Sequence, residues 1–305
     1  MKWLIALSVS YCSYLLLRFL LRKRISIRKK TIIITGASSG LGESLARLLF
    51  EYECQLILLA RRIDRLENLR DELMRRHPTY PQPKLIQIDL SNFEQITSSS
   101  QLMNILETQP IDCLINNAGI SQRSSALDTP TDLVNNIFRL NYLSVVALTK
   151  LVLKNILENN TRHATIVNIS SVQGLIAVPD RSSYSASKHA LQAFSDSLRM
   201  ELTEQYPKQN VNVCVISPSY IRTELGQQAQ TRMTTNEQIA DDNHRSAYEP
   251  DYVAKRIIRA IEYRENEVVI APILQFIAIW LRRFFPTIFF RMMIERNKRL
   301  KMKKT

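Results

Sequence analysis

The stretch Thr35-Gly36-Ala37-Ser38-Ser39-Gly40-Leu41-Gly42 decides the fold of this chain. An apolar run, Thr31–Thr35, leads into it, and an amphipathic helical pattern follows at about residues 41–52. Glycines in such a turn permit a tight reversal, let backbone amides approach a phosphate, and let helix pack on strand. A Walker phosphate loop is excluded because no Gly-Lys-Ser/Thr follows. The stretch therefore predicts a dinucleotide-binding turn between a first strand and a first helix.

Short apolar runs alternate with helical patterns along the rest of the chain. Further strands are predicted at Gln55–Ala60, Lys84–Ile88, Asp112–Ile115, Thr165–Ser170, Val211–Ile216 and Val268–Ala271. Helices are predicted at about residues 62–76, 131–158, 181–205 and 250–263. This alternation indicates an α/β fold, a Rossmann-like doubly wound parallel sheet of about seven strands with helices on both faces. The polar segment Arg222–Tyr248 is the longest candidate loop, and such a loop is usually a lid or disordered.

The net charge of +13 is concentrated at the two ends of the chain. Residues 1–30 carry eight Lys/Arg and no acid, and residues 282–305 carry nine Lys/Arg and one Glu. The residues between hold the remaining 24 basic and 27 acidic side chains. Both basic ends adjoin apolar sequence, which favours membrane lipid over nucleic acid as a partner.

Residues 1–30 are predicted to form an N-terminal transmembrane anchor with a basic flank. Trp3 to Leu21 is a 19-residue apolar run broken by small polar residues and Arg18, about the length that crosses a bilayer. Basic residues follow in place of a small-residue cleavage site, which favours an uncleaved single-pass anchor over a signal peptide. The positive-inside rule then places the following domain in the cytosol.

Residues 273–305 are predicted to form an amphipathic, basic segment associated with the membrane. Pro286 is expected to divide it into two short helices, and the adjacent Arg282 and Arg283 argue against a transmembrane span. A helix packed into the core is the alternative. The ending Lys301-Met302-Lys303-Lys304-Thr305 resembles a dilysine retrieval signal, so the endoplasmic reticulum membrane is the expected location. A peroxisomal membrane is the alternative, although no Ser-Lys-Leu ending is present.

The second predicted strand ends at Leu59-Ala60-Arg61-Arg62. An NAD site ordinarily places an acidic residue here, where it binds the 2′-hydroxyl of the adenosine ribose. Arg61 and Arg62 instead offer cationic donors to a 2′-phosphate, and Ser38 can add a hydroxyl. We therefore predict NADP(H) as the cofactor rather than NAD(H). The alternative is that both arginines only solvate the start of a helix.

Several motifs together resemble the short-chain dehydrogenase/reductase family, classical type. They follow the family's order over about residues 30–272: Thr35-Gly36-x-x-x-Gly40-x-Gly42, Asn116-Asn117-Ala118-Gly119, Asn141, Ser171 and Tyr184-x-x-x-Lys188. Within the family, the stretches 116–121, 170–174 and 187–190 most resemble the membrane-anchored members 7 and 7B. The resemblance implies a Rossmann-fold catalytic domain at residues 31–272 and a possible homodimer through the two long helices.

The resemblance also implies a role for each matched residue. Asn141, Ser171, Tyr184 and Lys188 would be catalytic, with Asn141 holding a water in a proton relay to Lys188. The implied cofactor-binding residues are Thr35, Gly36, Ser38, Ser39, Gly40, Leu41, Gly42, Arg61, Arg62, Asp89, Leu90, Asn117, Ala118, Gly119, Tyr184, Lys188, Pro218, Ile221 and Thr223. Asn116 would help to shape the wall beside the adenine ribose. One departure is Ser219, where the family usually has glycine.

Tyr184 and Lys188 lie four residues apart, so on a helix they share one face. Hydride addition to a ketone produces an alkoxide, and a tyrosine hydroxyl can supply the proton that it needs. The lysine ammonium is expected to lower the pKa of the tyrosine by favouring the phenolate. Ser171 would polarise the substrate carbonyl. A chance Tyr/Lys pair on a solvated helix face is the alternative.

Together these features predict a membrane-anchored NADP(H)-dependent oxidoreductase, a carbonyl reductase or alcohol dehydrogenase. Its substrate would be an apolar ketone or aldehyde, such as a steroid, retinoid or long-chain lipid ketone. The alternative is a non-catalytic NADPH-binding interaction protein at the membrane, and the intact set Ser171, Tyr184 and Lys188 argues against it. The scattered cysteines and histidines predict no metal site, and Cys54, Cys113 and Cys214 are expected to be buried free thiols.

Overall fold

A computed structural model of the protein describes residues 24–224 and 247–302. Its strands are β1 Thr31–Thr35, β2 Gln55–Ala60, β3 Lys84–Gln87, β4 Cys113–Asn116, β5 Thr165–Ile169, β6 Asn212–Pro218 and β7 Glu267–Ile270. Its helices are α1 Gly40–Phe50, α2 Ile63–Arg76, α3 Phe93–Ser98, α4 Ser100–Thr108, α5 Thr131–Phe138, α6 Ser144–Glu158, α7 Ser182–Gln205, α8 Pro250–Glu262, α9 Ile273–Phe284 and α10 Pro286–Met302. A π-helical turn at Arg139–Leu143 joins α5 to α6, and a 3₁₀ turn at Val172–Gly174 follows β5.

The seven strands form one parallel sheet in the order β3-β2-β1-β4-β5-β6-β7. β1 lies between β2 and β4, so the direction of strand addition reverses at that point. In such sheets ligands bind beyond the carboxyl ends of the strands at the reversal. The glycine turn that follows β1 lies at this edge. The predicted doubly wound sheet of about seven strands is therefore confirmed.

Helices cover both faces of the sheet and bury two apolar layers. On one face, α1, α2 and α8 pack against alternate residues of the central strands. On the other face, α3, α4, α6 and α7 do the same. Among the described residues, Thr131–Glu158 is the one helical run long and apolar enough to span a membrane. Its side chains Leu148, Val152 and Ile156 are buried against the sheet, as expected of a core helix.

The predicted element bounds agree with the structure to within about two residues. Helices α3 and α4 are not apparent from the sequence, because the polar run Ser98-Ser99-Ser100 interrupts the apolar pattern there. Their starts are fixed locally, since the side chains of Asn92 and Ser99 accept hydrogen bonds from amides in the first turns of α3 and α4. Cys54, Cys113 and Cys214 are buried free thiols, as predicted.

Some predictions fall outside the described residues. These are residues 1–23 of the anchor predicted for residues 1–30, the interior of the loop at residues 225–246, and the last three residues of the dilysine-like ending. The two ends of the loop meet, because Tyr248 donates its amide to the carbonyl of Tyr220 (2.9 Å) and Arg222 donates to that of Tyr248 (2.9 Å). The division into an anchor, a catalytic domain and a C-terminal segment stays a prediction.

The C-terminal segment forms two helices that meet at Pro286, as predicted. Phe289 of α10 is only 1% exposed and packs with Val172 and Ile176, next to the 3₁₀ turn after β5. The guanidinium of Arg282 lies 5.0 Å from the ring centre of Phe290, which links α9 to α10. The segment is therefore amphipathic, with one side against the body of the protein and the other exposed.

Candidate active site

The glycine turn after β1 brings its backbone into the crevice at the sheet edge. Gly36 (φ 65°) and Gly40 (φ 57°) adopt left-handed conformations that other residues rarely adopt. A Cβ on Gly42 would collide with the carbonyl of Gly36, so helix α1 starts in direct contact with the turn. Thr223 lies against Gly40 from the opposite side. The turn thus presents bare backbone at a helix N-terminus, which fits a dinucleotide pyrophosphate.

Thr35 and Asn117 tie the glycine turn to the end of β4. The Thr35 Oγ1 accepts hydrogen bonds from the amides of Asn117 and Ala118, both at 2.9 Å. The Asn117 Nδ2 donates to the Thr35 carbonyl at 2.9 Å. These bonds hold the predicted adenine-ribose wall, Ala118 included, beside the turn.

Arg62 reaches back to the glycine turn. Its Nη2 donates to the hydroxyls of Ser39 (2.9 Å) and Ser38 (3.3 Å), and its Nη1 donates to Glu224 (3.2 Å). Arg65 also donates to Glu224, at 2.8 Å, and these two partners lower the pKa of the Glu224 carboxyl. The cationic cluster at the end of β2 therefore already contains a carboxylate.

Arg61 points to a different place. It lines a surface pocket of about 500 Å³ whose other walls are Gln87, Ile88, Asp89, Gln95, Ser98 and Ser99. Asp89 is held there by its own neighbours: its carboxylate accepts from the amide and hydroxyl of Ser91, and its amide donates to Gln95. Leu90 is buried below them, as Leu41 is below the glycine turn. The two arginines thus flank the end of β2 on separate sides.

The Tyr184 hydroxyl, Ser171 and Lys188 converge beyond the end of β5. Tyr184 is 8% exposed and Lys188 is 5% exposed, and the Ser171 hydroxyl lies close enough to the Tyr184 side chain to favour its ionised form. Ser171 caps the 3₁₀ turn by accepting from the amide of Gln173 (3.1 Å). A Cβ on Gly174 would lie 2.9 Å from the carbonyl of Lys188, so glycine lets this turn rest directly on α7.

The ionisation of the Tyr–Lys pair differs from the sequence prediction. Burial raises the pKa of Tyr184 above its usual value, and the neighbouring Ser171 hydroxyl and the Arg181 charge offset only part of this. Burial also lowers the pKa of Lys188 to about 8. The Lys188 Nζ donates to the Ile169 carbonyl at 2.8 Å and lies 5.9 Å from the Tyr184 ring centre. The expected lowering of the tyrosine pKa by Lys188 is therefore wrong for this arrangement, because burial outweighs the groups that favour the phenolate, which are Ser171 and Arg181 and not Lys188.

Asn141 lies in the π-helical turn between α5 and α6 and is fully buried. Its Oδ1 accepts from the Ile120 amide (2.9 Å), and its Nδ2 donates to the Ile120 carbonyl (3.0 Å) and to the Ser187 hydroxyl (3.1 Å). A Cβ on Gly119 would lie 3.1 Å from Asn141 Oδ1 and 3.7 Å from Lys188 Nζ. Asn141 and Lys188 therefore border the same small space at Gly119. π-turns of this kind are frequent at functional sites.

Other predicted positions have mixed outcomes. The Asn116 side chain does not face the crevice: it donates to Asn168 (2.8 Å) and Thr149 (3.1 Å) inside the protein, so its expected place beside the adenine ribose is wrong. Pro218 lies at the end of β6, where its carbonyl is 3.4 Å from the Ser171 hydroxyl. Ser219 has no positive φ, so this departure from glycine introduces no backbone strain.

Some residues of the site carry no signal in the sequence. Gln122 is fully buried and accepts hydrogen bonds from the amides of Ser183 and Tyr184. Ser187 joins Asn141 to the Tyr184 carbonyl (2.8 Å). Glu224 faces Arg62 across the crevice. Their positions depend on contacts between distant segments, which no local motif encodes. Within residues 24–224 and 247–302, no group of three or more His, Cys, Asp or Glu could hold a metal ion.

Comparisons with known proteins agree with this geometry. The family profile described as short chain dehydrogenase matches residues 30–234. The dehydrogenase/reductase SDR family protein 7-like of Anopheles gambiae is 42% identical over 275 residues, 89% of this chain and 84% of the relative. The dehydrogenase/reductase SDR family member 7B of Xenopus tropicalis is 38% identical over 292 residues, 95% of this chain and 92% of the relative.

Two solved structures share the fold. A short-chain dehydrogenase from Sphingobium yanoikuyae in complex with NADPH is 26% identical, with a TM-score of 0.67 over 79% of this chain and 87% of that one. A short chain dehydrogenase/reductase from Burkholderia phymatum in complex with NAD is 23% identical, with a TM-score of 0.74 over 85% of this chain and 94% of that one. Similar folds thus occur with either nicotinamide cofactor.

Proposed function

Because the chain belongs to the short-chain dehydrogenase family, we propose that it is an NADP(H)-dependent oxidoreductase that reduces an apolar ketone or aldehyde. One observation carries the proposal: the half-buried Ser171 and the buried Tyr184 and Lys188 converge at the edge of the sheet where the glycine turn lies. Binding a dinucleotide alone does not require this convergence. A proton donor beside a hydride donor is what carbonyl reduction requires.

The residues of this site divide the reaction among them. Tyr184, kept protonated by the raised pKa of its buried hydroxyl, donates a proton to the carbonyl oxygen of the substrate. Ser171 donates a hydrogen bond to the same oxygen and polarises the carbonyl. Lys188 then returns a proton towards Tyr184 from the side of Asn141. The glycine turn would hold NADPH, and bound NADPH would supply the hydride for the carbonyl carbon. A tyrosine that is protonated at neutral pH is in the form that carbonyl reduction requires.

A catalytic test uses NADPH oxidation by the detergent-solubilised full chain with a panel of steroid, retinoid and long-chain lipid ketones. Tyr184→Phe is expected to lower kcat by about 100-fold or more, the usual contribution of a general acid, with NADPH affinity unchanged. Tyr206→Phe, at an exposed position just after α7, is the matched control and should retain full activity.

Two outcomes would contradict the catalytic proposal. Full turnover by Tyr184→Phe would remove this tyrosine from the mechanism. Tight NADPH binding by the wild type without turnover of any carbonyl would support the alternative of a non-catalytic NADPH-binding protein.

The preference for NADP(H) rests on the cations at the end of β2. Arg62 already donates to Ser38 and Ser39, so it is positioned over the turn that would hold the adenosine phosphates. Arg61→Ala combined with Arg62→Ala is expected to weaken NADPH binding by roughly 10- to 100-fold, the value of lost hydrogen bonds to a charged group. NADH binding should change little. Arg75→Ala, in the last turn of α2, is the control. Equal losses for both cofactors would reject the preference.

The apolar character of the substrate and the membrane location rest on the exposed side of α9 and α10. We define the exposed C-terminal face as the outward side chains Ile273, Leu274, Ile277, Trp280, Phe284, Phe285, Ile288, Phe290, Met292 and Ile294. An apolar patch of this kind marks an interaction surface. Arg282, Arg283 and Arg291 lie among these residues, which suits an anionic lipid bilayer. The proposed occupant is therefore the lipid surface, and an apolar carbonyl compound dissolved there would be the substrate.

The proposed location is the endoplasmic reticulum membrane, with the domain in the cytosol. Asn159, in the sequon Asn159-Asn160-Thr161, is exposed at the end of α6 and can report on this. An Asn159→Gln variant with unchanged mobility on electrophoresis would agree with a cytosolic domain. A glycan on Asn159 would place the domain in the lumen instead.

A further inference from the structure

Gln122 is a buried side chain that no matched motif includes. It follows the Asn-Asn-Ala-Gly motif by three residues and is 0% exposed. A buried amide must satisfy both its acceptor and its donors, because an unmade hydrogen bond in the interior is costly. The partners of Gln122 therefore indicate what it does.

The Oε1 atom of Gln122 faces the start of α7, the helix that carries Tyr184. It accepts from the amides of Ser183 (3.0 Å) and Tyr184 (3.3 Å), the second and third residues of the helix. The first amides of a helix have no partner within it, and an N-cap side chain usually accepts from the second or third. Arg181, at the N-cap position of α7, makes no such bond. Gln122 therefore caps this helix from a distant segment.

The other end of the amide is fixed as well. The Nε2 atom of Gln122 donates to the carbonyl and hydroxyl of Ser124, both at 3.3 Å, and to the hydroxyl of Thr129. A reversed amide would present its NH₂ group to two backbone N–H donors, so the acceptor must face α7. Only one orientation satisfies all of these partners.

Further bonds join the same two segments. The Ser124 amide donates to the Asp180 carbonyl (3.1 Å), and Arg181 Nη1 donates to the Ser121 hydroxyl (3.0 Å). At its other end the segment is held by Asn141, which pairs with both backbone groups of Ile120. Gln122 thus lies between the Asn141 site and the backbone of Tyr184.

From these contacts we propose that Gln122 is a positioning residue that holds the backbone of Tyr184, and so its hydroxyl, in line with Ser171 and Lys188. It acts through the Tyr184 amide and touches neither cofactor nor substrate. The inference rests on the proposed reductase function, in which Tyr184 is the proton donor. A displacement of about 1 Å in a reacting group can lower the rate about 100-fold. A first turn of α7 that is no longer held by Gln122 should therefore lower kcat.

The test replaces Gln122 by methionine, which has a similar length and cannot accept the two bonds. Gln122→Met is expected to lower kcat roughly 10- to 100-fold, with NADPH affinity and the KM for NADPH unchanged. Gln122→Glu keeps an acceptor and should restore part of the rate. Gln192→Met is the control, because Gln192 is a half-buried glutamine on the Tyr184 helix and its side chain donates to the Ser217 hydroxyl, away from the first turn of that helix.

A double variant separates positioning from general stability. Gln122→Met added to Tyr184→Phe should cause no further loss of kcat, since the group being positioned is already absent. A full additional loss would overturn the inference, as would a Gln122→Met variant with normal kcat.

Hydrogen–deuterium exchange distinguishes failure of this inference from failure of the proposed function. Gln122→Met should speed exchange at the Ser183 and Tyr184 amides in the NADPH complex, while the rest of α7 stays protected. Unchanged exchange at these amides overturns the inference whatever the activity. Absence of Tyr184-dependent turnover in the wild type, with exchange still increased by Gln122→Met, overturns the proposed function and leaves Gln122 as the cap of α7.

Discussion

The active site and the C-terminal helices α9 and α10 meet at Val172 and Ile176, and they differ in which side chains they bury. On one side, the active site buries polar groups and pairs them: Asn141, Lys188 and Gln122 all find partners inside the protein. On the other side, α9 and α10 leave large apolar side chains exposed, with Trp280 63% exposed and stacked on Phe284. The first region pairs its polar groups internally, whereas the second leaves a large apolar surface exposed.

This difference in burial indicates which part of the protein's specificity each region determines. Buried polar groups are costly unless paired, so the active site tolerates few arrangements. An exposed apolar face is non-directional and accepts any apolar phase of suitable charge. Reaction type should therefore follow from the active site, and access to substrate from the exposed C-terminal face. Phe289 is the most deeply buried contact between the two, since it packs from α10 against the turn that follows Ser171 and is 1% exposed.

The largest effect is expected when this contact is broken. Phe289→Ala should lower the free energy of unfolding by about 3 kcal/mol, the usual cost of removing a buried phenylalanine ring. It should also reduce turnover, because Val172 and Ile176 lose the side chain that supports the Ser171 turn. Phe290→Ala is the matched control, since the next side chain along is 49% exposed. Thermal melts and kcat are measured for both variants. Equal effects of the two substitutions would show that the active site and the C-terminal helices are not coupled through Phe289.

The second effect concerns the exposed C-terminal face and lipid. Trp3 and Trp280 are the two tryptophans of the chain, so Trp3→Phe leaves Trp280 as a single reporter. With vesicles containing anionic lipid, Trp280 emission should shift to shorter wavelength and be quenched by brominated acyl chains. Adding Phe284→Ala and Phe285→Ala should weaken binding of the C-terminal face to these vesicles by about 2 kcal/mol, or roughly 30-fold, because two rings leave the interface.

Substitutions elsewhere control the lipid experiment. Met200→Ala, at an exposed apolar position on α7, should leave the Trp280 signal unchanged. Trp280 emission that remains that of an indole in water on bound vesicles would mean that the face serves a protein partner or another copy of the chain.

The smallest expected effect is a pH dependence. As pH rises, catalytic activity and the contribution of Lys188 to stability should change in opposite directions. Because burial lowers the pKa of Lys188 to about 8, its native ammonium loses a proton as pH rises through that value, and kcat/KM for reduction should fall about tenfold per pH unit above it. An unfolded lysine keeps its proton to about 10.5, so the unfolded state binds more protons between these values. The Lys188 contribution to stability should therefore rise with pH over the same interval.

Lys188→Met tests this assignment. The pH dependence of unfolding should flatten between about 8 and 10.5 relative to the wild type, because the titrating group is gone. A basic limb near pH 10 in the wild type would instead mean that Lys188 keeps an ordinary pKa in the working enzyme.

The sequence by itself determined the fold and the main members of the site. Strand and helix periodicity, the glycine spacing at residues 36–42 and the four-residue interval from Tyr184 to Lys188 are local properties, so a linear reading recovers them. Helices α3 and α4 were not predicted, because a polar serine run interrupts a weak apolar pattern. Side-chain caps define the starts of these helices instead.

Only the tertiary structure decided how the site residues bond and ionise. Gln122 reaches α7 across 61 positions of sequence, and Asn116 turns away from the crevice towards Asn168, 52 positions along the chain. The raised pKa of Tyr184 and the lowered pKa of Lys188 both arise from burial, which depends on what packs around each side chain. Hydrogen-bond partners and desolvation are properties of the folded surroundings, and a linear pattern cannot carry them.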